Sequence, residues 1–140
     1  MPERRRYERT PDTLLILTSC AVTGAVLTAM GEVPKSIAAI APMWVALLWS
    51  AAFSAAAATA LVGTLHREPL VGWLLELAGR TGLALGSFGY VVALLGAASA
   101  VGSALLISIV AGIGVSSSWR AWQIIKRLEA LRETLQAARS

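Results

Sequence analysis

The chain has 140 residues, of which 56% are hydrophobic and only 14% are charged, whereas soluble domains carry about 25% charged residues. A domain of this size exposes a large surface, and so few charges would cover it poorly, which argues against a water-soluble protein. The net charge of +4 does not indicate nucleic-acid binding, because the basic residues flank apolar runs, as they do beside membrane spans.

Residues 1–12 are polar and basic, and we predict that they form a cytoplasmic N-terminal segment. Pro11 and Asp12 suit the first turn of a helix. The apolar run at residues 13–30 would reach roughly 27 Å, which is enough for a first span. It is longer than the core of a secretory signal, and no clean cleavage site follows it, so we expect it to remain uncleaved.

The second apolar run, residues 36–63, is longer than a bilayer core requires. Pro42 divides it, because a proline inside a helix bends it or starts a new one. We therefore predict a second span at residues 42–63, with Trp44 as an aromatic anchor at the outer interface.

Pro69 starts a third apolar stretch that contains two charged residues, Glu76 and Arg80. A helix entering the membrane at Pro69 would place Glu76 about 10 Å deep, which costs a few kcal/mol. We therefore predict that residues 69–80 lie along the cytoplasmic interface, with Trp73 among the headgroups. Glu76 and Arg80 would then form an ion pair one helical turn apart.

The third span is then predicted at residues 81–96 and the fourth at residues 103–118. Trp119 and Trp122 follow the fourth span and are expected to anchor its cytoplasmic end.

The tail, residues 119–140, has the pattern of an amphipathic helix. Its apolar positions recur at spacings of four, three and four: Ile124, Leu128, Leu131 and Leu135. The repeat is shorter than the three or four heptads that indicate a coiled coil. A helix lying on the membrane and one docking on another subunit both fit this pattern.

The basic residues also predict the orientation. Of the twelve Lys and Arg residues, only Lys35 would lie on the outer side of a four-span arrangement. The positive-inside rule therefore places both termini in the cytoplasm. The predicted fold is an all-α integral membrane protein: a cytoplasmic N-terminus, a four-helix transmembrane domain at residues 13–118 in the cytoplasmic membrane, and a cytoplasmic helical tail.

Small residues, which allow transmembrane helices to approach closely, recur at four-residue spacing in the third and fourth spans. The positions are Gly82, Gly86, Ala104, Ser108, Gly112 and Ser116. Packing within one monomer and self-association into a homo-oligomer are both compatible with them.

Residues suited to catalysis are scarce. The single histidine, His66, falls in a polar connection, and the single cysteine, Cys20, falls in the first apolar run. Neither a zinc-binding cluster nor a phosphate-binding loop is present in the sequence. We therefore expect no catalytic, metal or cofactor site, and a protein that is not an enzyme.

Two stretches carry a resemblance to a known group of proteins: residues 72–80 (GWLLELAGR) and residues 118–127 (SWRAWQIIKR). With the alanine- and glycine-rich spans and the basic tail, the chain resembles small four-span membrane proteins of actinobacterial phages and prophages. Some of these are holins, which assemble in the host membrane and permeabilise it. The resemblance implies a homo-oligomer and no preformed pore.

Three functions are left open by the sequence. The first is a holin-like protein that oligomerises in the bilayer. The second is a membrane anchor or accessory subunit that docks a cytoplasmic protein through the tail helix. The third is a small proton-coupled transporter that uses Glu76, since acids within a membrane commonly mark proton or cation pathways.

Overall fold

The computed structural model describes residues 11–31, 41–96 and 102–137. Within these ranges the chain is all-helical, as predicted, with four helices and no strand. The four are α1 (Pro11–Met30), α2 (Met43–Leu65), α3 (Pro69–Gly96) and α4 (Gly102–Ala137). The predicted N-terminal segment up to residue 10, the connection containing Lys35 and the connection before α4 lie outside the described residues.

Three of these helices are long and apolar enough to cross a bilayer: α1 from Thr13 to Met30, and α2 and α3 over their whole lengths. A helix satisfies its own backbone hydrogen bonds, so it can lie in hydrocarbon without cost from unpaired amides. Three such helices indicate a multi-pass membrane protein. The fourth span and the placement of the termini remain predictions.

Glycine and proline define the helix ends. Gly31 follows α1 with a φ of +64°, the left-handed conformation in which glycine commonly terminates a helix. Pro42 immediately precedes α2, and its carbonyl oxygen accepts a hydrogen bond from the Val45 amide at 3.0 Å. Pro69 occupies the first position of α3, where its missing N–H removes no helical hydrogen bond.

Helix α3 continues without interruption from Pro69 to Gly96. The boundary predicted between an interfacial segment and the third span, near Thr81, therefore does not coincide with a helix end. Residues 69–80 continue directly into residues 81–96. No proline follows Pro69 within this helix, so nothing in its sequence forces a kink, and the limits of the interfacial segment and of the third span remain predictions.

The helices are arranged in chain order. The backbone of α2 packs against those of α1 and α3, and α4 packs against α3, whereas no backbone approach joins the described parts of α1 and α4. The core is built mainly from small and aliphatic side chains, including Leu17, Ala57, Ala60 and Leu83. We call the end of this bundle that carries the α2–α3 connection, residues 66–68, the turn end.

Candidate functional site

The most distinctive polar feature is a buried carboxylate near the turn end. Glu76 and Arg80 lie one turn apart on α3, and both are buried, at 1% and 4% exposure. Charged side chains are rarely buried to this degree unless they are paired. The burial shows that both point into the bundle and not outward from α3.

Glu76 pairs more closely with Arg120 of α4 than with Arg80 of its own helix. The Nε of Arg120 donates a hydrogen bond to Oε1 of Glu76 at 3.0 Å. The Nε of Arg80 lies 3.8 Å from the same oxygen, which is an ion-pair distance but too long for a hydrogen bond. The predicted Glu76–Arg80 pair is therefore one part of a larger cluster.

Arg120 extends the cluster along α4. Its Nη1 donates a hydrogen bond to Oε1 of Gln123 at 3.2 Å, and its side chain is partly buried, at 24% exposure. We call Glu76, Arg80, Arg120 and Gln123 the polar cluster. Its two arginines and one carboxylate carry a net charge of +1.

Helix α2 packs closely against the backbone of α3 at Glu76. A Cβ atom placed on Gly63 of α2 would overlap the backbone nitrogen of Glu76, and one on Gly72 of α3 would lie 2.9 Å from the carbonyl oxygen of Gly63. The two backbones therefore approach as closely as only glycine allows. The backbone of Glu76 lies against α2, while its carboxylate pairs with Arg120 of α4.

The arrangement ties α3 to α4. Glu76 lies at ion-pair distance from two guanidinium groups, and breaking a buried pair by removing one partner is strongly destabilising. The cluster joins α3 to α4 at a defined point along both helices. The ion pair between Glu76 and Arg120 can hold α4 in a fixed position against α3.

The predicted small-residue positions fall into two groups. Gly82 and Gly86 of α3 face α2, where an added Cβ would lie 2.8 Å from Cβ of Ala56 and 2.7 Å from Cδ2 of Phe53, respectively. On α4, by contrast, Ser108, Gly112 and Ser116 are exposed. Nothing lies within 4 Å of a Cβ added at Gly112. The side chain of Ala104 lies outside the described residues.

The predicted interface anchors differ in exposure. Trp44, Trp119 and Trp122 are exposed, while Trp73 is half-buried. The rings of Trp119 and Trp122 lie beside each other, with centroids 5.1 Å apart. These two residues therefore form one continuous aromatic surface on α4.

The four apolar positions predicted to form one face of the tail helix differ in exposure. Ile124 is buried against the bundle and Leu128 is half-buried, whereas Leu131 and Leu135 are exposed. Because α4 is a single helix of 36 residues, the tail continues the direction of the preceding segment. Only the last turns of the predicted stripe are available to another surface.

Arg120 and Gln123 were not identified from the sequence as partners of Glu76. Near this position the sequence indicates only the end of the fourth span, through Trp119 and Trp122. A signal was nevertheless present, since the predicted orientation places Arg120 and Glu76 on the same side of the bilayer, where opposite charges can pair.

No group of three or more His, Cys, Asp and Glu residues that could hold a metal ion occurs within residues 11–31, 41–96 and 102–137. No known protein family, curated protein or solved structure matches the chain.

Proposed function

We propose that this chain is a non-enzymatic integral membrane protein that crosses the cytoplasmic membrane four times, with both termini in the cytoplasm. In this proposal copies of the chain assemble side by side and permeabilise the membrane, as holins do. The lesion would arise from assembly and not from a channel within one copy.

The observation that carries the proposal is the direction of the small-residue face of α4. Ser108, Gly112 and Ser116 are exposed, and nothing lies within 4 Å of a Cβ added at Gly112. Faces of this kind let two helix backbones approach closely within a bilayer. Had these residues faced α3, packing within one monomer would have accounted for them.

The polar cluster supports the same proposal indirectly. By fixing α4 against α3 through Glu76 and Arg120, it keeps the small-residue face turned outward. A face held in one orientation loses less conformational freedom when it binds a neighbour. Each copy would thus present a preformed contact surface.

A second function, a membrane anchor for a cytoplasmic protein, is favoured by the length of α4. A helix of 36 residues reaches roughly 54 Å, well beyond a hydrocarbon core of about 30 Å. Leu131 and Leu135 remain exposed near its end. A partner helix or the membrane surface could cover them.

The transporter function receives less support from the geometry. Glu76 is engaged by Arg120 at 3.0 Å and lies near Arg80. A coupling carboxylate must instead become accessible from each side of the membrane in turn.

The experiment that tests assembly is controlled expression in bacteria, with cell density and membrane potential followed together. We expect abrupt growth arrest with collapse of the potential, and lysis when a cell-wall hydrolase is co-expressed. Gly112→Ile should delay or abolish this collapse, because it places a branched side chain on the contact face. Gly89→Ile is the matched control, since Gly89 on α3 also has open space around it.

The same experiment separates the two candidate functions. Steady growth with an intact potential, despite confirmed membrane insertion, would exclude the holin-like function. A chain ending at Arg127 should change only the timing of collapse if assembly is the function. Loss of a functional complex in that shortened chain, with no effect of Gly112→Ile, would favour the anchor.

A further inference from the structure

A cavity of about 290 Å³ lies where α1 and α4 face each other without contact between their backbones. All four helices contribute to its walls, through residues that include Cys20, Thr23, Trp49, Phe53, Tyr90 and Ile113. It lies away from the polar cluster, and none of the residues of that cluster lines it.

The walls of this cavity are predominantly apolar and partly rigid. The ring of Trp49 stacks on Phe53 and on Tyr90, with centroid distances of 5.4 Å and 5.3 Å. The buried hydroxyl of Ser50 is already engaged, because the Thr28 hydroxyl lies 3.3 Å from it. Stacked rings with few adjacent polar atoms are typical of sites for apolar ligands.

The cavity is lined by residues from the middle of the candidate spans. On α1 and α2 these include Cys20 and Phe53, which lie well inside Thr13–Met30 and Met43–Leu65, so we infer that the cavity lies at the depth of the hydrocarbon. Water is a poor occupant of an apolar space, because it needs two to four polar partners. If the gap were empty, the side chains that line it would lose dispersion contacts on that side.

We propose that this cavity binds an acyl chain of a bilayer phospholipid, which enters between α1 and α4. An apolar cavity of about 150 Å³ is enough to hold benzene, so the present one has room for a segment of roughly a dozen chain carbons by the same scale. The site is surrounded by such chains at high concentration. The proposal does not depend on whether copies of the chain assemble.

The test uses Trp49 as a fluorescent reporter within the cavity. The full chain is prepared with Trp49 as its only tryptophan, the other four being replaced by phenylalanine, and is reconstituted into phosphatidylcholine vesicles. Lipids brominated near the middle of the acyl chain should quench Trp49 strongly. Thr23→Phe, which fills the cavity from α1, should remove most of that quenching.

Matched controls distinguish the cavity from the surrounding bilayer. Val22→Phe adds the same side chain to an exposed position of α1 outside the cavity and should leave the quenching unchanged. Val110→Phe fills the cavity from α4 and serves if Thr23→Phe does not fold, with Ile109→Phe as its exposed counterpart. Circular dichroism checks that each variant remains helical.

Three results would overturn the proposal. Quenching by aqueous acrylamide but not by brominated lipid would show a water-filled space. Quenching by neither would show that protein closes the gap, from this copy or a second one. Quenching by brominated lipid that survives both Thr23→Phe and Val110→Phe would show that Trp49 contacts lipid elsewhere.

Discussion

Glu76 shows how a single charged residue can be accommodated inside a small membrane protein. Removing a carboxylate from water is costly, and the cost is recovered only when partners of good geometry replace the solvent. Arg120 supplies a hydrogen bond at 3.0 Å, and Arg80 adds a second positive charge nearby. A buried carboxylate is therefore tolerated at this position because α3 and α4 each contribute an arginine beside it.

Replacing Glu76 with glutamine should destabilise the fold substantially. Glutamine keeps the size of the side chain but removes its charge, so Arg80 and Arg120 would lose the carboxylate that lies at ion-pair distance from both. We expect the free energy of unfolding to fall by about 3–5 kcal/mol, as for other broken buried pairs. Denaturation of the purified protein in mixed detergent micelles, followed by circular dichroism, measures this change.

Glu129→Gln is the matched control for this substitution. Glu129 pairs with Lys126 at 3.1 Å, but both side chains are more than half exposed. An exposed pair contributes at most about 1 kcal/mol, so this variant should unfold almost as the unchanged protein does. Equal effects of the two substitutions would contradict a structural role for the buried cluster.

The sequence allows Glu76 and Arg80 to be placed side by side, because residues four apart share a helix face. It does not reveal that Arg120, forty-four positions later, donates a hydrogen bond to Glu76. That pairing depends on how α4 lies against α3, and local periodicity does not encode the relative position of two helices. The sequence therefore predicts the Glu76–Arg80 pair within α3 but not the Glu76–Arg120 pair between α3 and α4.

At the level of helices, the closest approach is between α2 and α3, and glycine makes it possible. A Cβ added at Gly79 would lie 2.7 Å from Cα of Ala60, a distance that side-chain movement cannot relieve. The small-residue spacing of the sequence indicates Gly82 and Gly86, which also face α2. The pattern thus finds helices that can approach closely but does not identify their partners.

Gly79→Ala should weaken the α2–α3 contact. The added methyl group can be accommodated only by separating the two backbones, and overpacking of this kind costs about 1–3 kcal/mol. Gly89→Ala on the same helix has open space around it and should be neutral or stabilising by up to about 1 kcal/mol, because alanine favours the helix. Thermal unfolding in detergent should rank the two variants in this order, and the reverse order would contradict the packing.

The charges on α3 and α4 bear on where spans end, not on where helices end. The sequence predicts span limits near Arg80 and Trp119, because charges are costly in hydrocarbon. In the structure both helices continue through these positions. A helix can extend past the limit of a span, and here Glu76 pairs with Arg80 and Arg120.

Composition is most informative for the molecule as a whole. A chain with 56% hydrophobic and 14% charged residues has too few polar groups for an aqueous surface, and its helices include three able to cross a bilayer. Orientation is a separate question, since the same bundle would pack identically with either end in the cytoplasm. Only the distribution of Lys and Arg distinguishes these two placements.

Labelling of introduced cysteines tests both the orientation and the fourth span. In a Cys20→Ser background, which removes the only native thiol, Lys35→Cys should react with a membrane-impermeant maleimide on intact cells. Ser140→Cys should react only after permeabilisation, because the positive-inside rule places the tail in the cytoplasm. Cys20→Ser alone, which should not react, is the control. If α4 does not cross, the chain has three spans and its ends lie on opposite sides, so Ser140→Cys would react on intact cells together with Lys35→Cys.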